Sequence, residues 1–114
     1  MKIPDSFKAV QRVAMQDKTI AWHRAVEQGD PLRGSYMAPA ANAEESYLVN
    51  VRVISDALTA QQYGLRLGRD IQITSSDPLP IPVGDFVLWD ERTYRIVGIL
   101  PRDSHVMLLG EAVL

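Results

Sequence analysis

The side chains that could do chemistry in this chain are few, and they are poorly spaced for it. His23 and His105 are the only histidines, they lie on separate segments, and there is no cysteine. A metal site needs several ligands converging, and no spacing of the His-x-x-x-His kind is present. No Gly-x-Ser-x-Gly turn offers a nucleophile for either ring to activate. Both histidines therefore read as surface or turn residues, and no metal or cofactor is expected.

Asp85, Asp90, Glu91 and Asp103 are the carboxylates of the C-terminal third. Acid–base work would need two of them facing one pocket with separated pKa values. Asp85 follows Gly84 and Asp90 follows a strand-like run, so turn formation through local backbone amides explains them more simply. Gly64-x-x-x-Gly68 lacks the Lys-Ser/Thr of a phosphate loop and falls in a helical stretch. No catalytic group can be assigned, and the chain is not expected to be an enzyme.

Binding remains as the chemistry to consider. Arg92, Arg95 and Arg102 sit near one end of a predicted sheet, where they could meet phosphates or an acidic partner. A solvated face neutralised by Asp90, Glu91 and Asp103 is the simpler reading, favoured by the low net charge. Tyr36 and Met37 lie in a polar, irregular stretch with Pro31, Leu32 and Arg33. Apolar groups in such a loop often insert into a partner's pocket, which makes these five candidate interface residues beside the three arginines. Trp22, Trp89 and Tyr94 read as core residues or pocket walls.

With 12 basic and 14 acidic residues the net charge is −2, so no overall electrostatic case exists for gripping nucleic acid. A chain of 114 residues with 46% hydrophobic content suits one domain, 1–114, burying roughly two-thirds of its unfolded surface without disulfides. No signal-peptide core or membrane-length apolar run is present, which predicts a soluble protein made in the cytoplasm, with no membrane partner.

The elements that must position these residues are mostly strands. Phe7, Val10, Val13 and Ala14 repeat at helical spacing behind Asp5 or Ser6, so residues 1–18 are predicted to be helical. Thr19 to Val26 is predicted as a strand, with a continuing helix as its rival. The Gly, Pro and small residues of 28–46 predict a long flexible loop. Tyr47 to Ile54 alternates as a strand, with Tyr47, Val49, Val51 and Val53 on one face. Thr59 is the expected N-cap of a helix over 59–67, stopped by Gly68. Ile71 and Ile73 open a strand, and the prolines of 77–82 make an extended connector. Phe86 to Trp89, Thr93 to Ile99 and Val106 to Leu109 form a meander whose first loop is Asp90-Glu91-Arg92. Arg95 should face outward, opposite Tyr94 and Ile96. The fold class is mainly β: a small antiparallel barrel or sandwich over 47–114 with one or two short helices and a long loop.

This order of elements resembles the head–tail joining, or head-closure, proteins of tailed bacteriophages with long non-contractile tails. The likeness rests on Gly84-Asp85, the hairpin with Tyr94, the turn with Asp103 and the final strand to residue 109; Tyr47 to Ile73 adds to it. The resemblance implies a small β-barrel subunit of the virion neck, made in the host bacterial cytoplasm. It implies ring assembly on a portal or adaptor protein, retention of packaged DNA, possible contact with that DNA, and a surface for tail-end proteins. It also implies that Pro31 to Glu45 reaches the channel or a neighbouring ring. The alternative reading is a small-barrel nucleic-acid- or peptide-binding module using Trp22, Trp89, Arg92 and Arg95.

Overall fold

A computed structural model describes residues 17–32, 34–101 and 104–113. The helix expected before residue 17 lies outside the described residues, as do Arg33, Arg102 and Asp103.

Among the described residues, eight strands and one helix follow in order: β1 (Lys18–His23), β2 (Ala25–Asp30), β3 (Gly34–Pro39), β4 (Glu45–Val53), α1 (Ala57–Tyr63), β5 (Ile71–Ser75), β6 (Phe86–Trp89), β7 (Arg92–Pro101) and β8 (Val106–Ala112). Six of them close an antiparallel barrel in the order β1-β4-β5-β8-β7-β6, and β6 pairs back onto β1. The small antiparallel barrel with one short helix is thus the fold. Closure joins the sheet to itself, with β5, β6 and β8 flanked on both sides over most of their length, while β1, β4 and β7 hand over from one neighbour to the other along the strand.

Alternation places one face of each strand inside. Ile20 and Trp22, Val49 and Val51, Ile71 and Ile73, Tyr94 and Ile96, with Leu108, fill the barrel. Arg95, between Tyr94 and Ile96, is exposed as expected. A bulge between Ile96 and Gly98 shifts the register of β7 against β8. Val97 in the bulge, Leu100 after it and Leu109 of β8 pack with Ile54, Ala60 and Tyr63 in a second cluster outside the barrel. The helix therefore covers β7 and β8 from outside, and β8 is buried on both faces. Gly98 permits this approach: a Cβ there would stand 2.8 Å from the Tyr63 ring.

Several local expectations are corrected. The strand predicted over Thr19 to Val26 breaks at Arg24 and becomes the ends of β1 and β2. The helix begins earlier and is shorter than 59–67. Asp56 is its N-cap, accepting from the Leu58 amide, and Thr59 Oγ1 donates to Asp56 Oδ2 at 2.6 Å. Gly64, with φ of 69°, takes the left-handed position that ends it, so Gly68 is not the stop. The β6–β7 loop has two residues rather than three. Trp89 pairs with Arg92, and Asp90 and Glu91 sit at φ of 53° and 62°, as a type I′ hairpin turn requires.

The long loop predicted over 28–46 is corrected most. β2 and β3 pair from Ala25↔Pro39 to Asp30↔Gly34, forming a separate two-stranded ribbon. Asp30 Oδ1 accepts the Leu32 amide at 2.9 Å and Gly34 has φ of 81°, which turns the chain at the tip. Small residues weaken strand propensity, but in-register backbone pairing decides the state here. Among the described residues of this segment, 31, 32 and 40–44 remain irregular.

Candidate interaction site: the arm and the arginine trough

The β2–β3 ribbon is an arm held at its root and open at its tip. At the root, β1 passes into β2 through Arg24, and five contacts fix the bend. Asp85 Oδ2 accepts the Trp22 indole N–H at 2.8 Å, and Asp85 Oδ1 accepts the Ala25 amide at 3.0 Å. His23 Nδ1 lies 2.8 Å from the Ala40 carbonyl. Because a carbonyl only accepts, Nδ1 carries the proton and donates. Arg24 forms an ion pair with Glu44 at 3.3 Å and places its guanidinium 5.7 Å from the centre of the Trp22 ring.

Two sequence expectations change at this root. Asp85 is a clamp between segments about sixty residues apart rather than a local turn former. His23, expected at the surface, is buried at 8% exposure with its ring fixed by a backbone carbonyl. His105 is half-buried beside Ser104, whose Oγ is 3.2 Å from its Nδ1. Among the described residues no group of three or more His, Asp or Glu is placed to hold a metal ion.

Away from the root the arm presents apolar side chains to solvent. Leu32 at the tip is 95% exposed, and Tyr36 and Met37 on β3 are 50% and 54% exposed. Pro31 is exposed beside Leu32. Tyr36 donates its hydroxyl to Gln28 Oε1 across the ribbon at 3.2 Å. Pro31, Leu32, Tyr36 and Met37 thus share one projection, although on a strand and a tight turn rather than a loop.

A trough of arginines lies where the arm meets the barrel. Arg66, Arg69 and Arg95 line a surface cavity of about 530 Å³ with Met37 and Phe86. Arg69 also borders an adjoining cavity of about 390 Å³ that Arg92 and Tyr94 line, and Val113 is common to both. Arg95 is paired across the sheet with Glu111, at the long distance of 3.8 Å. Its partner is therefore Glu111, not the turn carboxylates expected to neutralise it. Arg69 is held by Asp70, at 2.8 Å from Nε and 3.0 Å from Nη2.

Asp70 anchors this trough from beneath. It is fully buried and also accepts the amides of Arg66 at 2.7 Å and Ala112 at 2.8 Å. Burial pushes its carboxyl up, but the hydrogen bonds from Arg69, Ala112 and Arg66 outweigh that and hold it below the usual carboxylate range. Arg92 and Arg95 were candidates from the sequence, and Arg66 and Arg69 join them only in the folded chain. Nothing local marks them, since the β5–β8 and β7–β8 pairings bring them together. Among the described residues no helix is long and apolar enough to cross a membrane.

In fold the chain is similar to protein SF1141 from Shigella flexneri 2a, known from a solution structure. The TM-score is 0.62 at 15% identity, covering 88% of this chain and 95% of that one. Likeness at that identity shows a shared fold alone. No protein-family profile matches the chain, and neither does any curated protein.

Proposed function

We propose that this protein is a structural subunit of a tailed-bacteriophage neck. It is a head-closure or head–tail joining protein that assembles as a ring on the portal or adaptor, retains packaged DNA and offers the tail its attachment surface. The observation that carries this reading is the arm: a projecting two-stranded ribbon that ends in Leu32 at 95% exposure, on a barrel otherwise closed on itself. The arm and the arginine trough are two unlike surfaces on one subunit, as repeated head-to-tail assembly requires.

The work needs no covalent chemistry. Many copies of one weak contact, repeated with cyclic symmetry, give avidity that a single contact lacks. The order of elements from Tyr47 to Leu109, with its Gly84-Asp85 turn and Tyr94 hairpin, supports the same reading.

Electron microscopy of particles produced without this gene tests it. Free tails beside tailless, DNA-leaking heads are the expected result, and normal infectious particles overturn the reading. The alternative nucleic-acid module needs Trp22, Trp89, Arg92 and Arg95 in one groove. Trp22 is instead buried with its N–H taken by Asp85, and Trp89 packs toward Tyr94 with ring centres 6.4 Å apart. Salt-dependent binding to DNA by the isolated protein would revive that alternative.

A further inference from the structure

Four basic side chains drawn from distant parts of the sequence, Arg66, Arg69, Arg92 and Arg95, line two adjoining cavities at one end of the barrel. Asp70 and Glu111 engage Arg69 and Arg95. Arg66 and Arg92 make no ion pair among the described residues. All four are arginines, whose planar forks suit carboxylates or phosphates in two-point contact. The walls are mixed, however: Phe86, Met37 and Val113 contribute apolar surface, and Glu91 and Glu111 contribute negative charge. An extended polyanion would meet repulsion there. A short protein segment carrying a carboxylate beside apolar side chains fits both features.

The arm carries that chemistry. Asp30 ends β2 beside the tip that carries exposed Leu32, and exposed Glu27 stands further down β2, opposite Met37. A two-stranded ribbon is marginal in water without a surface to lie against. Its six-residue strands span roughly 20 Å, enough to reach past its own barrel. We propose that the arm of one copy docks in the arginine trough of the next, with Leu32 entering the apolar part and exposed Glu27 of β2 meeting Arg66 and Arg92. The contact is head-to-tail, so each copy uses its arm once and its trough once. Such a contact closes into a ring when its rotation divides a full turn. This inference rests on the ring-forming reading above and names the surfaces that would make the ring.

The chain has no cysteine, so single-cysteine variants give a clean crosslink. Leu32→Cys and Val113→Cys are prepared separately, mixed and oxidised with copper phenanthroline. The mixed disulfide is expected to form about tenfold faster than either homodimer, since charge complementarity favours only the arm–trough encounter. Adding Arg66→Glu and Arg92→Glu to the Val113→Cys partner is expected to remove that advantage, with unchanged near-ultraviolet circular dichroism confirming the fold. Equal rates for all three disulfides, or a mixed rate indifferent to the charge reversals, overturn the contact. If the gene deletion nevertheless leaves tailless heads, the neck reading stands and only the arm–trough contact falls.

Discussion

The indole N–H of Trp22 donates to Asp85 Oδ2 at 2.8 Å, tying the end of β1 to the turn before β6 across 63 residues of sequence. The second oxygen of the same carboxylate takes the Ala25 amide at 3.0 Å, the first amide of the arm. One side chain thus fixes both the closure of the barrel and the direction in which the arm leaves it.

Asp85→Ala is expected to leave two part-buried donors without their acceptor, at about 1–3 kcal/mol each when burial persists. The midpoint of urea unfolding should fall, and hydrogen exchange at the Ala25 amide should quicken. An Ala25 amide as protected as before would mean that another group holds the arm root.

Asp70 sets a pH dependence. Its folded-state pKa is depressed, so the carboxylate adds stability that is present above the unfolded value of about 4 and is lost as pH falls through the folded value. Asp70→Asn should therefore melt lower than the parent at pH 7, and its melting temperature should depend less on pH below about 4. Parallel losses in both proteins on acidification would assign the acid limb to other carboxylates.

Gly98→Ala places a methyl 2.8 Å from Tyr63 Cε1 and 3.4 Å from Leu109 Cδ1. Overpacking of this kind costs about 1–3 kcal/mol. Tyr63 is half-buried and can yield somewhat, so the lower half of that range is expected from thermal melts. Combining the change with Tyr63→Leu should restore part of the loss, as a double-mutant cycle would show. Purely additive losses would place the strain elsewhere.

Glu91 holds φ of 62° without being glycine. The left-handed region costs an L-residue roughly 1–2 kcal/mol, against roughly 0.5–1 kcal/mol of extra unfolded-state entropy for glycine. Glu91→Gly should therefore stabilise the protein slightly, by about 0.5 kcal/mol, most clearly when paired with Asp90→Asn. A fall in melting temperature would show that the carboxylate itself contributes to the turn.

Leu32→Ser with Tyr36→Ser tests the arm without disturbing the barrel. Both side chains are largely exposed, and exposed substitutions usually stay within about 0.5 kcal/mol. Unfolding should be unchanged, and under the proposed neck role head–tail joining is lost in particles carrying the double variant. Full joining with these variants would remove the arm from the interface.

The sequence by itself determined the strands whose side chains alternate. Val49 and Val51, Ile71 and Ile73, and Tyr94 and Ile96 could be assigned to one buried face each because period-two burial is a local property of an extended chain. Exposed Arg95 followed from the same alternation. Tertiary structure alone decided the rest. Residues 34–39 look like loop because small residues carry little strand preference, yet pairing with β2 makes them a strand. Val106 to Leu109 does not alternate cleanly because the barrel covers one face of β8 and the helix covers the other. Asp85 resembles a turn former, and its true partners, Trp22 and Ala25, lie where no local pattern reaches. The arginine trough was likewise illegible. Arg66 lies in the connection from α1 to β5 and Arg92 opens β7, and only the order β5-β8-β7 in the closed barrel brings their cavities side by side.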